Sequence, residues 1–182
     1  MGKDILRSEL LRSLNALSND EIQGLSFSVT NQIIKLLKKY PELAGQIGAG
    51  YLPLKAEIAP VYQVLLHAVP VNLAYPIAKG QNMSFAIPDG MPHGEIWLSP
   101  PYHEVKPDWL LVPGLGFGLN GRRLGRGKGY YDRYLENSKA LKIGIAWSQQ
   151  LNEQIPVESH DCHMDFIITE KFCWNVKQQV KF

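Results

Sequence analysis

The feature that most constrains this chain is the alternation of short apolar segments with amphipathic helical segments. The apolar runs have the length of strands and lie at residues 47–52, 71–75, 83–87, 109–112, 141–146 and 166–169. Helical patterns lie between some of them, at residues 57–67 and 130–137. Strands that alternate with helices favour a mainly parallel sheet covered on both faces. We therefore predict an α/β fold, a three-layer α/β/α sandwich.

Two helices are predicted at the N-terminus, before the first strand. Residues 3–17 carry one stripe at helical spacing, formed by Ile5, Leu6, Glu9, Leu10, Leu14 and Leu17. Ser18 and Glu21 then have the spacing of a capping box, in which the two side chains satisfy reciprocal backbone donors. The second helix is predicted to run to about Tyr40 and to stop at Pro41.

The length of 182 residues predicts a single domain over residues 1–182. The proline-rich segment 88–107 is predicted to be a surface excursion, because too few residues follow it for a second domain. The two cysteines, Cys162 and Cys173, lack CxxC spacing, which argues against a disulfide framework and a zinc ribbon. The sequence has no secretory pattern and no run that could span a bilayer. We predict a cytoplasmic protein and expect a monomer.

A basic, glycine-rich stretch lies at residues 121–135 and reads GRRLGRGKGYYDRYL. The formal net charge of the whole chain is only +2, so these cations are a local feature of a nearly neutral protein. Gly125, Gly127 and Gly129 can take backbone angles that are closed to other residues, which lets successive amide groups converge on a phosphate. The helix predicted from Tyr130 would present its positive end to the same point. The stretch therefore predicts an anion site.

Other interpretations of this stretch fit less well. A phosphate loop needs a hydroxyl after its lysine, but Gly129 follows Lys128. A G-x-G-x-x-G match at residues 116–121 leads into another glycine-rich loop and not into a helix, which favours a chance match. Residues 126–130 imitate an RNA-recognition strand, but lysine replaces the aromatic residue that would stack on a base. A solvated basic turn would not require alternate glycines, which cost backbone entropy.

The stretch LLVPGLGFGLNGRRLGRGKGYYDRYL, residues 110–135, resembles the V-P-G-x-x-F turn and R-L-G-x-G-x-G-Y-Y-D signature of the 5-formyltetrahydrofolate cyclo-ligases, also called 5,10-methenyltetrahydrofolate synthetases. Shorter matches follow in the family's order. They are Lys3 with Arg7, Tyr51-Leu52-Pro53 with Glu57, Met83-Ser84-Phe85, and a P-x-E-x-H-D-x-x-x-D ending at residues 156–165. The resemblance covers almost the whole chain. Two departures are Gly118, where the family often has aspartate, and Ile77, where a basic residue commonly follows the proline.

The resemblance implies an ATP- and magnesium-dependent ligase of one-carbon metabolism. Such an enzyme converts 5-formyltetrahydrofolate into 5,10-methenyltetrahydrofolate and releases ADP and phosphate. Its partners would be small molecules, a reduced folate and ATP, and we expect neither a nucleic acid nor a membrane. The implied fold is again a three-layer α/β/α sandwich.

The resemblance also implies site residues. Lys128 and Arg126 would be catalytic and would stabilise charge on the transferred phosphoryl group. The implied ATP-binding residues are Lys3, Arg7, Arg123, Leu124, Gly125, Arg126, Gly127, Lys128, Gly129, Tyr130 and Tyr131. The implied folate-binding residues are Leu52, Glu57, Met83, Phe85 and Tyr130. The implied magnesium ligands are Asp132 and Asp161.

Two alternatives remain at this point, because a fold and an anion site do not fix the chemistry. One is another phosphate- or nucleotide-using α/β enzyme with a different acceptor. The other, less favoured, is a non-catalytic RNA-binding module.

Overall fold

The computed structural model of the chain describes residues 2–54, 57–88, 102–156 and 162–182, with Lys79 as backbone only. The helices are α1 (Lys3–Asn15), α2 (Asn19–Lys39), α3 (Pro41–Ala44), α4 (Tyr62–Ala68) and α5 (Tyr130–Glu136). The strands are β1 (Ile47–Ala49), β2 (Asn72–Lys79), β3 (Asn82–Pro88), β4 (Tyr102–Val105), β5 (Trp109–Pro113), β6 (Gly116–Phe117), β7 (Arg123–Leu124), β8 (Leu141–Ile145), β9 (Phe166–Ile168), β10 (Cys173–Asn175) and β11 (Val180–Lys181). None of the helices in these ranges has the length and apolar character that crossing a membrane requires.

Helix α2 begins and ends where the sequence predicted. The Ser18 hydroxyl accepts a hydrogen bond from the Glu21 N–H (3.2 Å), and the Glu21 carboxylate accepts one from the Ser18 N–H (2.8 Å). The Ser18 N–H and the Ser18 hydroxyl both donate to the Glu21 carboxylate (2.8 Å each), and these hydrogen bonds lower the pKa of Glu21. At the other end, Pro41 begins the short helix α3, at the position where the missing N–H of proline costs nothing. The capping box and the stop at Pro41 are confirmed.

Nine strands of the described residues form one sheet, in the order β11-β10-β9-β8-β5-β1-β2-β3-β4. The five central strands, from β9 to β2, pair in parallel. Both edges pair antiparallel, through β9-β10-β11 on one side and β2-β3-β4 on the other. The predicted parallel sheet is therefore confirmed at its centre. At Gly80-Gln81 the connection from β2 to β3 is a tight turn, which is too short for a parallel crossover.

Helices cover both faces of this sheet. On one face, α2 and α4 pack through Val29, Ile33 and Leu65 onto Trp109 and other buried residues of the central strands. On the opposite face, Leu135 of α5 packs with Leu110 and Val112 of β5. Successive residues of a strand point to opposite faces, which explains why β5 contributes to both cores. The predicted three-layer sandwich is confirmed.

Helix α1 packs at the turns that follow β5 rather than on the sheet. Its Leu6, Leu10 and Leu14 form a third cluster with Leu115, Leu124 and Ile155. The predicted apolar stripe was too wide, because Ile5 is 58% exposed. Leu6, Leu10 and Leu14 recur at four-residue spacing and fill one face, and Ile5 lies about 100° away around the helix. This docking brings the N-terminal turn of α1 to the glycine-rich stretch.

The helix predicted at residues 57–67 begins later than expected. Helix α4 starts at Tyr62, and Glu57 lies before it, outside any helix or strand. The Glu57 N–H donates to the Leu54 carbonyl (3.0 Å), and the Glu57 carboxylate accepts from the Leu54 N–H (2.8 Å). Pro60 explains the error, because the residue before a proline disfavours the helical conformation.

The backbone conformation does not support two of the alternative motifs, the dinucleotide-binding loop and the RNA-recognition strand. The G-x-G-x-x-G match lies on β6 and its turn into β7, where the Gly118 N–H donates to the Arg122 carbonyl (2.9 Å). This is a hairpin and not a dinucleotide-binding helix start. Residues 126–129 form a loop that leads into α5, so the strand of an RNA-recognition motif is not formed there.

Gly48 of β1 is expected to tolerate no side chain. A Cβ there would lie 2.1 Å from Cζ2 of Trp109, a fully buried residue whose indole N–H donates to the Leu43 carbonyl (2.8 Å). Overpacking a filled core costs about 1–3 kcal/mol. We therefore expect Gly48→Ala to lower the free energy of unfolding by about 2 kcal/mol, measured by urea denaturation.

Gly24→Ala is the matched control for this prediction. Gly24 lies in the interior of α2, and a Cβ there would meet nothing within 4 Å. Alanine at an unobstructed helical position should raise the free energy of unfolding by about 0.5–1 kcal/mol. Equal effects of the two substitutions would contradict the account given for Gly48.

Candidate active site

The basic stretch forms a loop between β7 and α5, and two of its alternate glycines adopt left-handed backbone angles. Gly127 has φ +93°, and Gly129, the N-cap of α5, has φ +70°. Residues other than glycine rarely adopt these backbone angles. The prediction was wrong for Gly125, whose φ lies outside this region. A Cβ at position 125 would lie 2.9 Å from Nη2 of Arg123, so a side chain there would require the guanidinium to shift.

A basic cleft of about 290 Å³ lies between α1, this loop and α5. It is lined by Lys3, Arg7, Arg123, Leu124, Gly125, Gly127, Gly129, Asp132, Arg133 and Glu136. Arg7 contacts the loop directly, because its Nε donates to the Gly125 carbonyl (3.1 Å). Its Nη1 donates to the Asp4 carboxylate of the same helix (2.6 Å). The cleft thus combines cations from two helices with a glycine-rich backbone, the composition of a phosphate site.

A larger, mainly apolar pocket of about 590 Å³ lies on the other side of the loop. The segments after the parallel strands β1 and β5 contribute to it, so it lies at the carboxyl edge of the sheet, where α/β proteins bind ligands. Its lining residues are Leu52, Leu54, Glu57, Pro76, Ile77, Ala78, Met83, Tyr102, Pro113, Gly114, Arg123, Arg126, Lys128, Gly129, Tyr130, Tyr131 and Asp132. An apolar pocket with a few polar groups suits a flat organic ligand.

The two cavities share a wall formed by Arg123, Gly129 and Asp132. Arg123 holds this wall together. Its Nε donates to the Pro113 carbonyl (3.0 Å), its Nη1 donates to Asp132 (2.7 Å), and its guanidinium lies 5.4 Å from the ring centroid of Tyr131. The Arg123 side chain is only 7% exposed. A phosphate group in the basic cleft and a ligand in the apolar pocket would therefore meet across this residue.

Tyr131 belongs to the core as well as to the apolar pocket. It packs against both main hydrophobic clusters, and its spacing with Tyr134 and Leu135 is that of one buried helix face. Burial raises the pKa of the Tyr131 phenol strongly, and the nearby Arg123 offsets only part of this shift. Burial therefore favours the protonated form of the Tyr131 hydroxyl.

Arg126 and Glu57 form an ion pair in the wall of the apolar pocket. The Arg126 Nε donates to Oε1 of Glu57 (2.7 Å), with side-chain exposures of 27% and 9%. Oε2 of Glu57 accepts from the Leu54 N–H, so both carboxylate oxygens have a donor. Nη2 of Arg126 is shielded from solvent and has no hydrogen-bond partner among the described residues.

The start of α5 is bound to the β2–β3 turn. The Tyr130 hydroxyl donates to the Gly80 carbonyl (3.0 Å), and Arg133 donates to the Gln81 carbonyl from Nε (3.0 Å) and Nη2 (2.6 Å). Lys128 is exposed at the edge of the apolar pocket, and its carbonyl accepts from Arg133 (3.2 Å). Arg133 therefore holds the loop backbone at Lys128, and in the part of the chain that the structure describes no hydrogen bond of the Lys128 ammonium group contributes to this.

A family model described as "5-formyltetrahydrofolate cyclo-ligase family" matches residues 1–170 of the chain. The chain belongs to this family. The family predicted from the motifs is thereby confirmed, and with it the interpretation of the chain as a cyclo-ligase family enzyme.

Curated relatives carry the same name. The 5-formyltetrahydrofolate cyclo-ligase of Mycoplasma pneumoniae is 29% identical over 177 residues, covering 94% of this chain and 100% of the relative. That of Mycoplasma genitalium is 30% identical over 176 residues, covering 92% and 98%. The mouse enzyme is 44% identical over 69 residues, which span 35% of this chain and 34% of the mouse protein.

Two solved structures are similar over nearly the whole chain. The 5,10-methenyltetrahydrofolate synthetase of Mycoplasma pneumoniae has a TM-score of 0.78 at 28% identity, covering 93% of this chain and 99% of that one. The NMR structure of the Aquifex aeolicus 5,10-methenyltetrahydrofolate synthetase has a TM-score of 0.76 at 31% identity, covering 97% and 94%. The α/β fold class is therefore that of the cyclo-ligase family.

The residues predicted to bind ATP divide between the two cavities of the chain. The α1 residues and most of residues 123–129 line the basic cleft, whereas Arg126, Lys128, Tyr130 and Tyr131 line the apolar pocket. Sequence reasoning missed Arg133 and Glu136 of the basic cleft. Their signal was available, because they follow Gly129 and Asp132 at the four-residue spacing of one helix face.

The predicted folate residues also divide. Leu52, Glu57, Met83 and Tyr130 line the apolar pocket. Phe85 is 1% exposed, packs edge-to-face on Tyr134 (4.9 Å between ring centroids) and lines a neighbouring groove instead. Sequence reasoning missed the remaining apolar lining, Leu54, Pro76, Ala78, Tyr102, Pro113 and Gly114. Pro113 and Gly114 could have been found, because they directly follow a predicted strand.

The two departures from the family pattern have visible structural consequences. At Gly118, a Cβ would lie 2.5 Å from Oδ1 of Asn120, which accepts from the Arg122 N–H (3.2 Å). The Asn120 side chain therefore occupies the space that a side chain at position 118 would need. Ile77 lines the apolar pocket, so an aliphatic group stands there where a basic residue is common.

The predicted metal ligands are Asp132 and Asp161, and Asp161 lies outside the described residues. Asp132 lies in the wall between the cavities with its side chain 33% exposed. No group of three or more His, Cys, Asp or Glu that could hold a metal ion occurs in the described ranges. Magnesium takes one or two protein carboxylates and completes its shell with water and substrate phosphates, so the position of Asp132 fits this ion.

Proposed function

We propose that this protein catalyses the ATP-dependent cyclisation of 5-formyltetrahydrofolate to 5,10-methenyltetrahydrofolate, with release of ADP and phosphate. Members of its family use ATP as a co-substrate and act on small molecules. The observation that carries the proposal is the pair of cavities that share Arg123, Gly129 and Asp132. A basic cleft beside an apolar pocket can bring a phosphoryl donor next to a flat acceptor.

The proposed chemistry follows from the weak reactivity of a formamide. The nitrogen lone pair is delocalised into the carbonyl, so its oxygen must first become a leaving group. The bond between the γ-phosphorus and the bridging oxygen of ATP breaks as the formyl oxygen takes the phosphoryl group. N10 then attacks the formyl carbon, loses its proton, and the carbon–oxygen bond breaks to release phosphate. These steps depend on positioning and charge neutralisation more than on a protein nucleophile.

In this proposal the cations have two roles, phosphate binding and stabilisation of charge during phosphoryl transfer. Lys3 and Arg7 of α1 would bind phosphate oxygens in the basic cleft, next to the amide groups of residues 125–129. Arg126 and Lys128 lie on the apolar side of the loop and would stabilise charge on the phosphoryl group during transfer. Leu52, Met83 and Tyr130 would enclose the pterin ring.

We further propose that Asp132 contributes to a magnesium site together with the substrate phosphates. When bound, magnesium would neutralise phosphate oxygens and orient them for transfer. Arg123 already orders the Asp132 carboxylate through its 2.7 Å ion pair. Asp161 stays a predicted second ligand. A monomeric state and a cytoplasmic location also stay predictions from the sequence.

The decisive experiment follows the absorbance of methenyltetrahydrofolate. We expect the purified protein to form it from 5-formyltetrahydrofolate only when ATP and magnesium are both present, with one ADP per product. ATP hydrolysis that does not respond to 5-formyltetrahydrofolate would instead indicate an enzyme with a different acceptor. Steeply salt-dependent binding of single-stranded RNA without turnover would indicate the RNA-binding alternative.

A further inference from the structure

We propose that Arg133 is a positioning residue, which joins the glycine-rich loop to the turn between β2 and β3 and thereby sets the place of Lys128 for phosphoryl transfer. The catalytic part of this inference rests on the cyclisation proposed above. The starting observation is that one guanidinium donates to the backbone of two separate segments. Nε and Nη2 of Arg133 donate to the Gln81 carbonyl (3.0 and 2.6 Å), and Nη2 also donates to the Lys128 carbonyl (3.2 Å).

Further contacts surround this guanidinium, although Arg133 as a whole is exposed. Its Cζ lies 5.4 Å from the ring centroid of Tyr130, which is the distance of a cation–π contact. Its Nη1 lies against Gly129, because a Cβ at this position would be only 2.7 Å from Nη1. The left-handed glycine at the start of α5 therefore also provides the space for the guanidinium.

A second side chain binds the same turn. The Tyr130 hydroxyl donates to the Gly80 carbonyl (3.0 Å), so the consecutive carbonyls of Gly80 and Gln81 both accept from the start of α5. An exposed hydrogen bond contributes little alone, because water competes for its donor and its acceptor. A planar guanidinium loses less conformational freedom for each hydrogen bond when one arginine makes several. The contacts of Arg133 therefore form a joint attachment between the turn and the loop.

The two segments that Arg133 joins belong to different parts of the proposed reaction site. The turn connects β2, which supplies Ile77 to the apolar pocket, to β3, which supplies Met83. The loop supplies Lys128, whose ammonium group would stabilise charge on the phosphoryl group. A lysine side chain is flexible, so the place of its backbone limits where its ammonium group can act. Arg133 would thus affect the rate of transfer through Lys128.

The alternative role for Arg133 is direct contact with ATP, since this residue also lines the basic cleft. An arginine binds a phosphate best through two parallel hydrogen bonds from one edge of its guanidinium. Nη2 belongs to both edges that could do this, and it already donates to the Gln81 and Lys128 carbonyls. The observed contacts therefore favour the positioning role.

Two substitutions at position 133 separate these roles. Arg133→Lys keeps the positive charge but removes the planar fork, and Arg133→Ala removes both. We expect both variants to lower kcat at least about fivefold and to change the KM for ATP less than about threefold, because the loss is in positioning. Arg12→Ala, which removes an exposed arginine of α1, should leave both constants within about twofold of wild type. A larger rise in the KM for ATP, or an Arg133→Lys variant with wild-type kcat, would overturn the inference.

A double-mutant cycle shows whether Arg133 acts through Lys128. In the Lys128→Ala background, Arg133→Ala should lower kcat less than about twofold further, because the group that it positions is already absent. Effects of the two substitutions that multiply would show that Arg133 acts independently of Lys128 and would contradict the proposal.

Hydrogen exchange of backbone amides tests the contact without turnover. In Arg133→Ala, peptides that contain residues 80–82 and 127–130 should exchange at least about fivefold faster than in wild type, and peptides from α2 should be unchanged. Unchanged exchange at both segments, or faster exchange throughout, would refute the attachment. If the wild-type protein forms no methenyl product, the proposed function is wrong, and the exchange rates still decide whether Arg133 joins the loop to the turn. Active wild-type protein whose Arg133 variants keep wild-type kcat overturns this inference alone.

Discussion

Replacing Lys128 by alanine is expected to lower the turnover of 5-formyltetrahydrofolate by about 10²–10³-fold, the usual effect of removing one group that stabilises charge in a transition state. Lys128 lines the apolar pocket on the side of the loop where the phosphoryl group would be transferred. Its side chain is exposed, and the loop is held through its backbone carbonyl by Arg133. The fold should therefore be unaffected, and the loss should appear in kcat measured at saturating ATP and folate.

Lys177→Ala is the matched control for Lys128→Ala. Lys177 is also an exposed lysine, but it lies in the turn between β10 and β11 and does not line either cavity. Its replacement removes the same charge from the chain, so any general effect of net charge would appear in both variants. We expect turnover within twofold of wild type for Lys177→Ala. Turnover within threefold of wild type for Lys128→Ala would exclude the assigned role.

Arg123→Ala is expected to reduce both stability and activity. The variant leaves Asp132 without its 2.7 Å partner and the Pro113 carbonyl without its donor. Removing one member of a buried ion pair costs about 3–5 kcal/mol. Because Asp132 is 33% exposed, solvent offsets part of this loss. We expect the free energy of unfolding to fall by about 2 kcal/mol, measured by urea denaturation.

The loss of activity in Arg123→Ala should exceed what unfolding explains. Arg123 lines both cavities, so its removal widens the wall between the phosphoryl donor and the acceptor. A misplacement of about 1 Å between reacting groups can cost about 10²-fold in rate. Turnover should therefore fall at least about 10²-fold under conditions where the variant is folded. Arg12→Ala, which removes an exposed arginine of α1, should change neither property. A folded Arg123→Ala variant with wild-type turnover would contradict the shared-wall account.

Much of the fold could be predicted because its signals are local. The capping box of Ser18 and Glu21 and the proline at position 41 determined the ends of α2. The alternation of apolar runs and helical patterns indicated the parallel centre of the sheet. The antiparallel edges were not predicted, since edge pairing depends on turn lengths and on which strands meet. The late start of α4 shows that one proline can outweigh a helical pattern.

The sequence predicted one set of ATP-binding residues and another of folate-binding residues, and the structure divides the ATP set between two cavities. Motif matching placed Arg126 and Gly127 in the same ATP-binding run because they are neighbours in sequence. In the fold they face opposite sides of the loop, Gly127 toward the basic cleft and Arg126 toward the apolar pocket. Phe85 matched a short motif, but its side chain lies in the core beside Tyr134. Met83 lies two residues earlier on the same face of β3 and lines the apolar pocket, so a short motif does not say how far along a strand the ligand site extends.

By itself the sequence determined the class of fold and the order of the two N-terminal helices and six of the strands, and it predicted an anion site at residues 121–135. Periodicity, capping and glycine content each depend on residues within a few positions of one another, so these features can be seen without the fold. Only the tertiary structure decided that Arg123 divides two cavities and that Glu57 holds Arg126, 69 residues away. Such contacts arise when packing brings distant segments together, and no local pattern records which side chains will then share a hydrogen bond.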